Sequence, residues 1–234
     1  MYGCQHNTKG LMETQTETTA TPRTPLNRER LIEGAVELAD TKGIGSLTMR
    51  KLAQKLGVKP MTLYHHMANK EEVLDGMVDA VFSEIDLAPA GVEWNPAMRQ
   101  RANSARAALT RHPWAVGLME SRITPGPATL QHHDAVIGCL RQAGFSIEMA
   151  AHAYSVLDSY IYGFVLQEVS LPFSTTEEAH EATEEILQQF PAHDHPYLVE
   201  MATEYVMQPG YEYANEFNFG LDLILEGIER STRG

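Results

Sequence analysis

Residues 46–70, SLTMRKLAQKLGVKPMTLYHHMANK, decide the fold of this chain. Apolar residues recur there at helical spacing: Leu47, Leu52, Ala53 and Leu56. Gly57 suits the left-handed end of a helix, and Pro60 suits the first turn of the next one. Two short helices joined by such a turn form a helix-turn-helix, whose second helix enters the major groove of DNA.

The residues before this stretch predict a further helix. Asn27 is a good N-cap, and an apolar stripe follows it as far as Gly43. The stripe consists of Leu31, Ile32, Ala35, Val36, Leu38 and Ala39. It can pack against the helix-turn-helix, so we expect a three-helix DNA-binding domain over residues 25–70. Residues 1–24 are polar, with hardly any apolar side chain, and are predicted to be a disordered tail.

Charge is divided unevenly along the chain. Residues 22–70 carry nine Lys or Arg against four Asp or Glu, a net of +5. Residues 71–234 carry eight against twenty-five, a net of −17, and the whole chain has a net charge of −13. A basic module on an acidic body indicates a protein that touches nucleic acid through a single face.

Composition predicts a soluble globular protein of the cytoplasm, without membrane association. The 234 residues can hold one large domain, or a small and a medium one. No run is long and apolar enough to cross a bilayer, and the first residues lack the pattern of a secretory signal. Cys4 and Cys139 suggest neither a disulfide framework nor a thiolate metal site, as is usual in a reducing compartment.

The rest of the chain predicts helices only. Asn69 is expected to cap a fourth helix, with Glu72 placed as in a capping box, and this helix connects the DNA-binding domain to the acidic body. Further helical segments are predicted over residues 96–111, 114–120, 128–143, 146–169, 176–190, 196–207 and 213–230. No strand pattern or internal repeat occurs. The predicted fold is all-α: a three-helix helix-turn-helix domain and a larger helical domain over residues 71–234.

Helices 146–169 and 213–230 are apolar over more than one stripe, so each must be buried on two sides. One face can cover the helix's own domain and the other a partner chain, in a four-helix bundle across a twofold axis. Gly163, Gly220 and Gly227 are consistent with close backbone approach there, since they cost helix propensity. The alternative is the core of a monomer. We favour a homodimer because symmetric pairing supplies two DNA half-sites.

Three stretches of the chain resemble a known protein family. Residues 47–78, LTMRKLAQKLGVKPMTLYHHMANKEEVLDGMV, resemble the DNA-binding domain of the TetR family of repressors, in its tetracycline-repressor branch. Residues 144–168 and 217–229 are similar to the two dimer-forming helices of that branch. The resemblance implies a homodimeric repressor with a C-terminal ligand-binding and dimerisation domain. It would bind a palindromic operator in double-stranded DNA and leave it when a small molecule enters the C-terminal domain.

The resemblance also assigns groove-reading positions, which correspond here to Arg50, Pro60, Met61, Thr62 and His66. Arg50 can donate two hydrogen bonds to guanine O6 and N7. Pro60 and Met61 offer apolar contacts, such as to a thymine methyl group. Thr62 and His66 can reach either bases or phosphates.

A second group of side chains is expected to contact the phosphate backbone and so position the second helix: Thr48, Lys59, Tyr64 and Lys70. The alternative is that Leu63 and Tyr64 are core residues and that Lys59 is only a solvated charge. We accept the core assignment for Leu63. For Tyr64 we favour phosphate contact, because a tyrosine hydroxyl at a helix surface commonly serves that purpose.

The effector pocket is expected to differ from that of the tetracycline branch. In that branch a histidine holds magnesium with the drug, and the corresponding residue here is Leu118. The polar drug contacts fall near Arg101, Ala105, Val136 and Ser159. We therefore expect no tetracycline, no metal and no other cofactor, but a small, more apolar effector. The expected pocket residues are Trp114, Leu118, Val136, Leu140, Tyr154 and Tyr162.

Asp158 is a carboxylate among apolar positions of helix 146–169. It can orient a ligand. It can equally form an ordinary buried ion pair with an arginine, for which the candidates are Arg101, Arg106 and Arg141. We favour the ion pair, because buried charges usually have a partner.

No residue pattern predicts a metal centre or an enzyme. His132 and His133 are adjacent, so they point to different helix faces. The stretch His193-Asp194-His195 is explained as well by helix capping as by a metal, since zinc needs three or four converging ligands. No nucleophile–base pair or phosphate-binding glycine loop occurs. We predict a ligand-responsive DNA-binding repressor. The alternatives are a ligand-independent regulator or an activator.

Overall fold

The structure is a computed structural model that describes residues 25–87, 91–119, 121–173, 175–189 and 192–232. All regular secondary structure in these ranges is helical, which confirms the all-α prediction. The predicted disordered tail, residues 1–24, lies outside the described residues. No helix in the described ranges has the length and hydropathy needed to cross a membrane.

Eleven α-helices follow one another in the described ranges. They are α1 (Arg28–Lys42), α2 (Met49–Leu56), α3 (Pro60–Leu63), α4 (Lys70–Ser83), α5 (Trp94–Arg111), α6 (Pro113–Met119), α7 (Pro127–Gln142), α8 (Ile147–Glu168), α9 (Thr176–Leu187), α10 (Pro196–Met201) and α11 (Glu216–Thr232). The predicted helix 196–207 is divided, because α10 passes into a π-helical turn at Ala202–Val206. Helix α5 begins two residues before the predicted start.

Side-chain caps fix the starts of α1, α2 and α4. Asn27, Thr48 and Asn69 each accept a hydrogen bond from the backbone N–H three residues further on, at 2.9, 3.2 and 2.9 Å. Each cap satisfies an N–H group that a helix start leaves unpaired. The predicted capping box at α4 is wrong in one respect. The Glu72 carboxylate accepts from the backbone N–H of Ala68, at 2.7 Å, rather than from that of Asn69.

Helices α1 to α3 enclose the first hydrophobic core. Gly57 ends α2 in the left-handed conformation, with φ at +68°, and this allows the sharp turn into α3. The buried residues of these helices and their connections are Leu31, Ile32, Ala35, Leu38, Ala39, Leu47, Leu52, Ala53, Leu63 and Met67. The three helices therefore form the predicted helix-turn-helix unit.

Helix α4 is shared between two cores. Its first half buries Val73, Leu74 and Met77 in the first core. Its second half buries Val78, Val81 and Phe82 in the second core. A rotation or shift of α4 would therefore disturb both cores at once, as expected of a connector.

Helices α5 to α8 and α11 enclose the second core. Tyr160 and Phe164 of α8 pack their rings against Phe217 of α11, with centroids 5.5 and 5.1 Å apart. The guanidinium group of Arg106, on α5, lies over the rings of Phe164 and Phe217 and forms an ion pair with Glu168. These contacts hold α5 against α8 and α11.

Candidate functional site

The predicted DNA-contacting residues lie at the surface of α2, α3 and the start of α4. The exposed members are Thr48, Arg50, Lys59, Pro60, Met61, Tyr64 and Lys70, and the half-buried members are Thr62 and His66. Leu63 is fully buried, as predicted, so it anchors α3 to the first core. Because Leu63 is held inside, the neighbouring residues of α3 are presented to the solvent.

This surface carries basic side chains that the protein itself does not neutralise. Four exposed cations form no ion pair with any acidic residue in the described part of the chain: Arg50, Lys51, Lys59 and Lys70. By contrast, Lys55 pairs with Glu37 at 2.7 Å. Unpaired cations are available to phosphates and base edges. Lys51, next to Arg50 in the sequence, is also exposed and was not among the predicted residues.

The two cores meet at a contact that we call the interdomain bridge, formed by Asp40, Glu84, His112 and Trp114. The Trp114 indole N–H donates to Asp40 Oδ1 at 2.6 Å, and Nδ1 of His112 lies 2.8 Å from the same oxygen. Nε2 of His112 lies 3.1 Å from Glu84 Oε1. The bridge therefore connects the end of α1 to the end of α4 and the start of α6. The sequence prediction did not include Asp40 or His112, which are 72 residues apart.

Two of the predicted pocket residues belong to this junction. Trp114 and Leu118 of α6 are partly buried, and each packs against both cores. Further along, Arg122 forms ion pairs with Asp75 and Glu71 of α4, at 2.6 and 2.8 Å. Helix α6 and the loop that follows it therefore lie against the connector helix.

The second core contains a group that we call the buried polar cluster, formed by Arg101, His132 and Asp158. Their exposed fractions are 1%, 0% and 5%. Arg101 Nη2 lies 2.5 Å from Asp158 Oδ1, and Arg101 Nε donates to His132 Nε2 at 3.0 Å. The favoured ion pair for Asp158 is present, and Arg101 is its partner. Arg106 pairs instead with Glu168, and Arg141 donates to the backbone carbonyl of Phe145.

The histidine of this cluster is neutral. Burial, together with the positive charge of Arg101 and the neighbouring His133, lowers the pKa of His132 to about 3. Because Nε2 accepts from Arg101, the neutral ring carries its proton on Nδ1. The ring therefore presents an N–H donor on its other side.

The remaining predicted pocket residues lie near the buried polar cluster along α7 and α8. Val136 and Leu140 follow His132 by one and two helical turns and are buried. Tyr154 and Tyr162 lie one turn before and one turn after Asp158, and the Tyr162 hydroxyl is 3.4 Å from Asp158 Oδ2. Four clefts, with volumes of about 330 to 740 Å³, are lined neither by the six predicted pocket residues nor by Asp158. The predicted pocket remains a prediction.

The histidine-rich stretches do not assemble a metal site in the described part of the chain, where no group of three or more His, Cys, Asp or Glu could hold an ion. His193 lies 3.1 Å from Asp194. Helix α10 starts with no side-chain cap, so the suggested capping by Asp194 is also absent.

Two family models match most of the described chain. A family model described as "Bacterial regulatory proteins, tetR family" matches residues 31–77. A second, described as "Tetracyclin repressor-like, C-terminal domain", matches residues 88–232. The boundary between the two matches falls within and just after α4, the helix shared by the two cores.

Two curated relatives are named as repressors. The chain is 29% identical to the HTH-type transcriptional repressor DrrR1 of Streptomyces coeruleorubidus over 218 residues, covering 89% of this chain and 79% of that protein. It is 33% identical to the class D tetracycline repressor protein of Escherichia coli over 146 residues, covering 61% of this chain and 66% of that protein.

A solved structure with a bound small molecule is also similar. The chain superposes on the TetR family protein ActR of Streptomyces coelicolor in complex with (S)-DNPA with a TM-score of 0.72. The sequence identity is 26%, and the match covers 89% of this chain and 99% of that one. A complex of ActR with actinorhodin gives a TM-score of 0.71 at 25% identity, with the same coverage.

Proposed function

The chain belongs to the TetR family of bacterial regulatory proteins, and from this membership we propose that it is a homodimeric repressor released from a palindromic operator by a small molecule. It is a DNA-binding regulator and not an enzyme, like the named repressors it resembles. Its place of action is the cytoplasm, where the DNA is. The observation that carries the proposal is the exposed, unpaired basic surface of α2 and α3 on an otherwise acidic chain.

Selection of binding sites from random double-stranded DNA tests the DNA-binding part. We expect the purified protein to enrich a palindrome whose half-sites lie about one helical turn apart, roughly 34–36 Å. Affinity should fall with rising salt, because binding releases counterions from the phosphates. Enrichment of a single unpaired half-site would contradict the palindrome, and no enrichment at all would contradict the function.

A screen of apolar drugs and metabolites by thermal shift tests the effector part. A compound that binds the folded dimer raises its melting temperature, and an effector should also release the enriched operator. A reporter gene downstream of the operator should be repressed and then derepressed by the same compound. Transcription that rises when the protein is present would identify an activator. Operator binding that no compound reverses would support a ligand-independent regulator.

The homodimer is supported by an apolar face on two helices that pack together within the chain. Val156 and Leu166 are exposed on one side of α8, and Phe219 and Leu223 are exposed one turn apart on α11, with Phe219 65% exposed. Large apolar side chains that share a helical surface are typical of an interface between copies of a chain. The four-helix bundle predicted from the sequence would form on this face.

The three glycines of these helices do not support the dimer equally. A Cβ atom on Gly220 would collide with Tyr160 of the same chain, so the fold of one protomer already requires Gly220. At Gly163 and Gly227 a Cβ atom would meet nothing within 4 Å. Close approach of a partner helix remains the reason that we propose for these two.

Replacing Leu223 with glutamate should separate the dimer. The charge would be placed in the centre of the proposed interface, where no partner is expected to neutralise it. We expect a monomer in sedimentation velocity and an operator affinity at least about a hundredfold lower, because each protomer then binds its half-site alone. Ile123→Glu is the matched control, since Ile123 is equally apolar and 96% exposed but lies in the loop before α7. A Leu223→Glu protein that stays dimeric would place the interface elsewhere.

We propose that the interdomain bridge couples effector binding to the position of the DNA-binding unit. Asp40 belongs to the DNA-binding unit, whereas His112 and Trp114 belong to the effector domain, and α4 contacts both. Effector binding would favour an arrangement in which these elements shift and the two α3 helices no longer match the half-site spacing.

Asp40→Ala should weaken this coupling. The substitution removes the acceptor of the Trp114 N–H and one partner of His112. We expect operator affinity within about threefold of wild type, but at least about five times more effector needed for half-release, because coupling energies of this kind are about 1–3 kcal/mol. Glu37→Ala is the control, since Glu37 pairs with Lys55 inside the DNA-binding unit. Equal responses of the two variants would exclude the bridge from the coupling.

A further inference from the structure

The carboxylate of Glu72 joins three parts of the DNA-binding unit. Its Oε2 atom accepts from the backbone N–H of Ala68 at 2.7 Å, in the turn between α3 and α4, residues 64–69. Its Oε1 atom forms an ion pair with Nη1 of Arg28, the first residue of α1. In the opposite direction, Asn69 Oδ1 accepts from the Glu72 backbone N–H at 2.9 Å. One side chain therefore ties the first turn of α4 to the turn before it and to α1.

Stability alone does not account for these contacts. The Arg28 and Glu72 side chains are 54% and 34% exposed, and an ion pair so exposed contributes little to stability. Ala68 is exposed as well, so water can replace Glu72 as the acceptor of its N–H. The hydrogen bonds from Arg28 and from Ala68 lower the pKa of the Glu72 carboxyl, so the group is an ionised acceptor at neutral pH. The main consequence of the contacts is the geometry of the turn.

The segment held by Glu72 carries a predicted DNA contact. Met67 and Val73 are buried in the first core and anchor the chain on either side of the exposed residues 68–70. Lys70, at the end of this exposed segment, is a predicted phosphate contact that burial does not hold in place. The bond from Ala68 to Glu72 closes the segment against the first turn of α4 and so limits where Lys70 can lie.

The charge of Glu72 and its contacts have opposite consequences for DNA binding. A carboxylate close to the predicted DNA-contacting surface repels phosphates, so by charge alone its removal should strengthen binding. If the carboxylate instead holds the turn in the geometry that binds DNA, its removal should weaken binding. The direction of the change therefore distinguishes the two roles.

We propose that Glu72 is a positioning residue for DNA binding: by accepting from the Ala68 N–H and pairing with Arg28, it holds the start of α4 so that Lys70 meets a backbone phosphate. This inference rests on the proposed function, because it concerns the complex with the operator. Glu72 acts through Lys70 and makes no contact with the DNA itself.

Fluorescence anisotropy tests the proposal on the full-length protein, with the palindrome selected from random DNA as the probe. Glu72→Ala should weaken binding at least about fivefold, although it removes a negative charge, because a phosphate contact is misplaced in each protomer. Glu71→Ala is the matched control. Glu71 is the neighbouring carboxylate in the same turn of α4, but it pairs with Arg122 at 2.8 Å, so its loss should leave affinity unchanged or raise it. Unchanged or higher affinity in Glu72→Ala, or equal losses in the two variants, overturns the proposal.

Two conservative variants separate the reach of the side chain from its charge. Glu72→Gln keeps the length and an acceptor oxygen for the Ala68 N–H, so its affinity should return to within about twofold of wild type. Glu72→Asp keeps the charge but is one methylene group shorter, and should lose at least about threefold, because hydrogen bonds weaken steeply with poor geometry. These milder changes also provide the test if Glu72→Ala fails to fold. Wild-type affinity in Glu72→Asp, or a loss in Glu72→Gln as large as in Glu72→Asp, contradicts the proposal.

A double-mutant cycle with Lys70→Ala shows whether Glu72 acts through Lys70. In the Lys70→Ala background, Glu72→Ala should cost less than about twofold, because the contact that it positions is already gone. Glu72→Ala alone should also lower the salt slope by about 2 for the proposed homodimer, as expected for one lost phosphate contact in each protomer. An undiminished loss in the Lys70→Ala background, or an unchanged salt slope, overturns the proposal.

The selection from random DNA separates this inference from the proposed function. A wild-type protein that selects an operator, with a Glu72→Ala variant that binds it equally well, loses this inference alone. A wild-type protein that selects no DNA overturns the proposed function and this inference with it.

Discussion

Arg50→Ala is expected to weaken operator binding by about thirtyfold or more. A bidentate contact between arginine and guanine contributes about 1–3 kcal/mol, and the proposed homodimer would lose two of them. Arg50 is exposed and forms no ion pair in the described chain, so its removal should leave the fold intact. Fluorescence anisotropy with the enriched operator measures the loss. The same titration on operators with single base-pair changes should show relaxed preference at one position of each half-site.

Two further variants serve as comparisons for Arg50→Ala. Lys59→Ala should weaken binding to all sequences alike and lower the salt slope by about 2 per dimer, since a phosphate contact carries no sequence information. Arg230→Ala, on α11, should have no effect, because its side chain pairs with Glu226 far from the DNA-binding unit. Wild-type affinity and preference in Arg50→Ala would show that another side chain reads the groove.

Arg101→Met is expected to lower the free energy of unfolding by about 3–5 kcal/mol. The substitution leaves Asp158 as a buried carboxylate without its ion-pair partner, and it removes the donor that His132 accepts from. Urea unfolding at a fixed protein concentration measures the change, because the stability of the proposed dimer would depend on concentration. The loss should exceed that of most single substitutions.

The double variant Arg101→Met/Asp158→Leu should recover most of this stability. Replacing a buried ion pair with apolar side chains of similar volume is often neutral or stabilising. Arg99→Met is the matched control on the same helix. It breaks an exposed pair with Asp222 and should cost less than about 1 kcal/mol. A small loss in Arg101→Met would show that solvent reaches Asp158 and that the pair is not truly buried.

The parts of the fold that were predicted correctly from the sequence depend on relations between residues only a few positions apart. Asn27, Thr48 and Asn69 cap their helices through N–H groups three residues away, and Gly57 turns the chain with its own backbone. The apolar spacing of each segment shows that it is a helix and which side is buried. The all-α fold, the helix-turn-helix and the burial of Leu63 followed from these local relations.

The proposed DNA-contacting residues could be grouped from the sequence because they lie on one local unit. The basic residues of α2, the N-cap of α3 and the start of α4 are close in sequence, so their common surface could be inferred from the residues and the family resemblance. Lys51 is exposed on the same surface and was not among the predicted residues. The effector domain differs, because its polar residues come from helices that are distant in the chain. Asp158 had three candidate arginines by sequence, and only packing selected Arg101.

The sequence by itself determined the helices, their buried stripes, the division of charge and the family. Tertiary structure alone decided that α4 serves two cores, that Asp40 meets His112 and Trp114, and that Arg101, His132 and Asp158 share one buried site. The physical reason is the range of the forces involved. Capping and periodicity act over three or four residues, whereas ion pairs and packing depend on distances in space that no local pattern encodes.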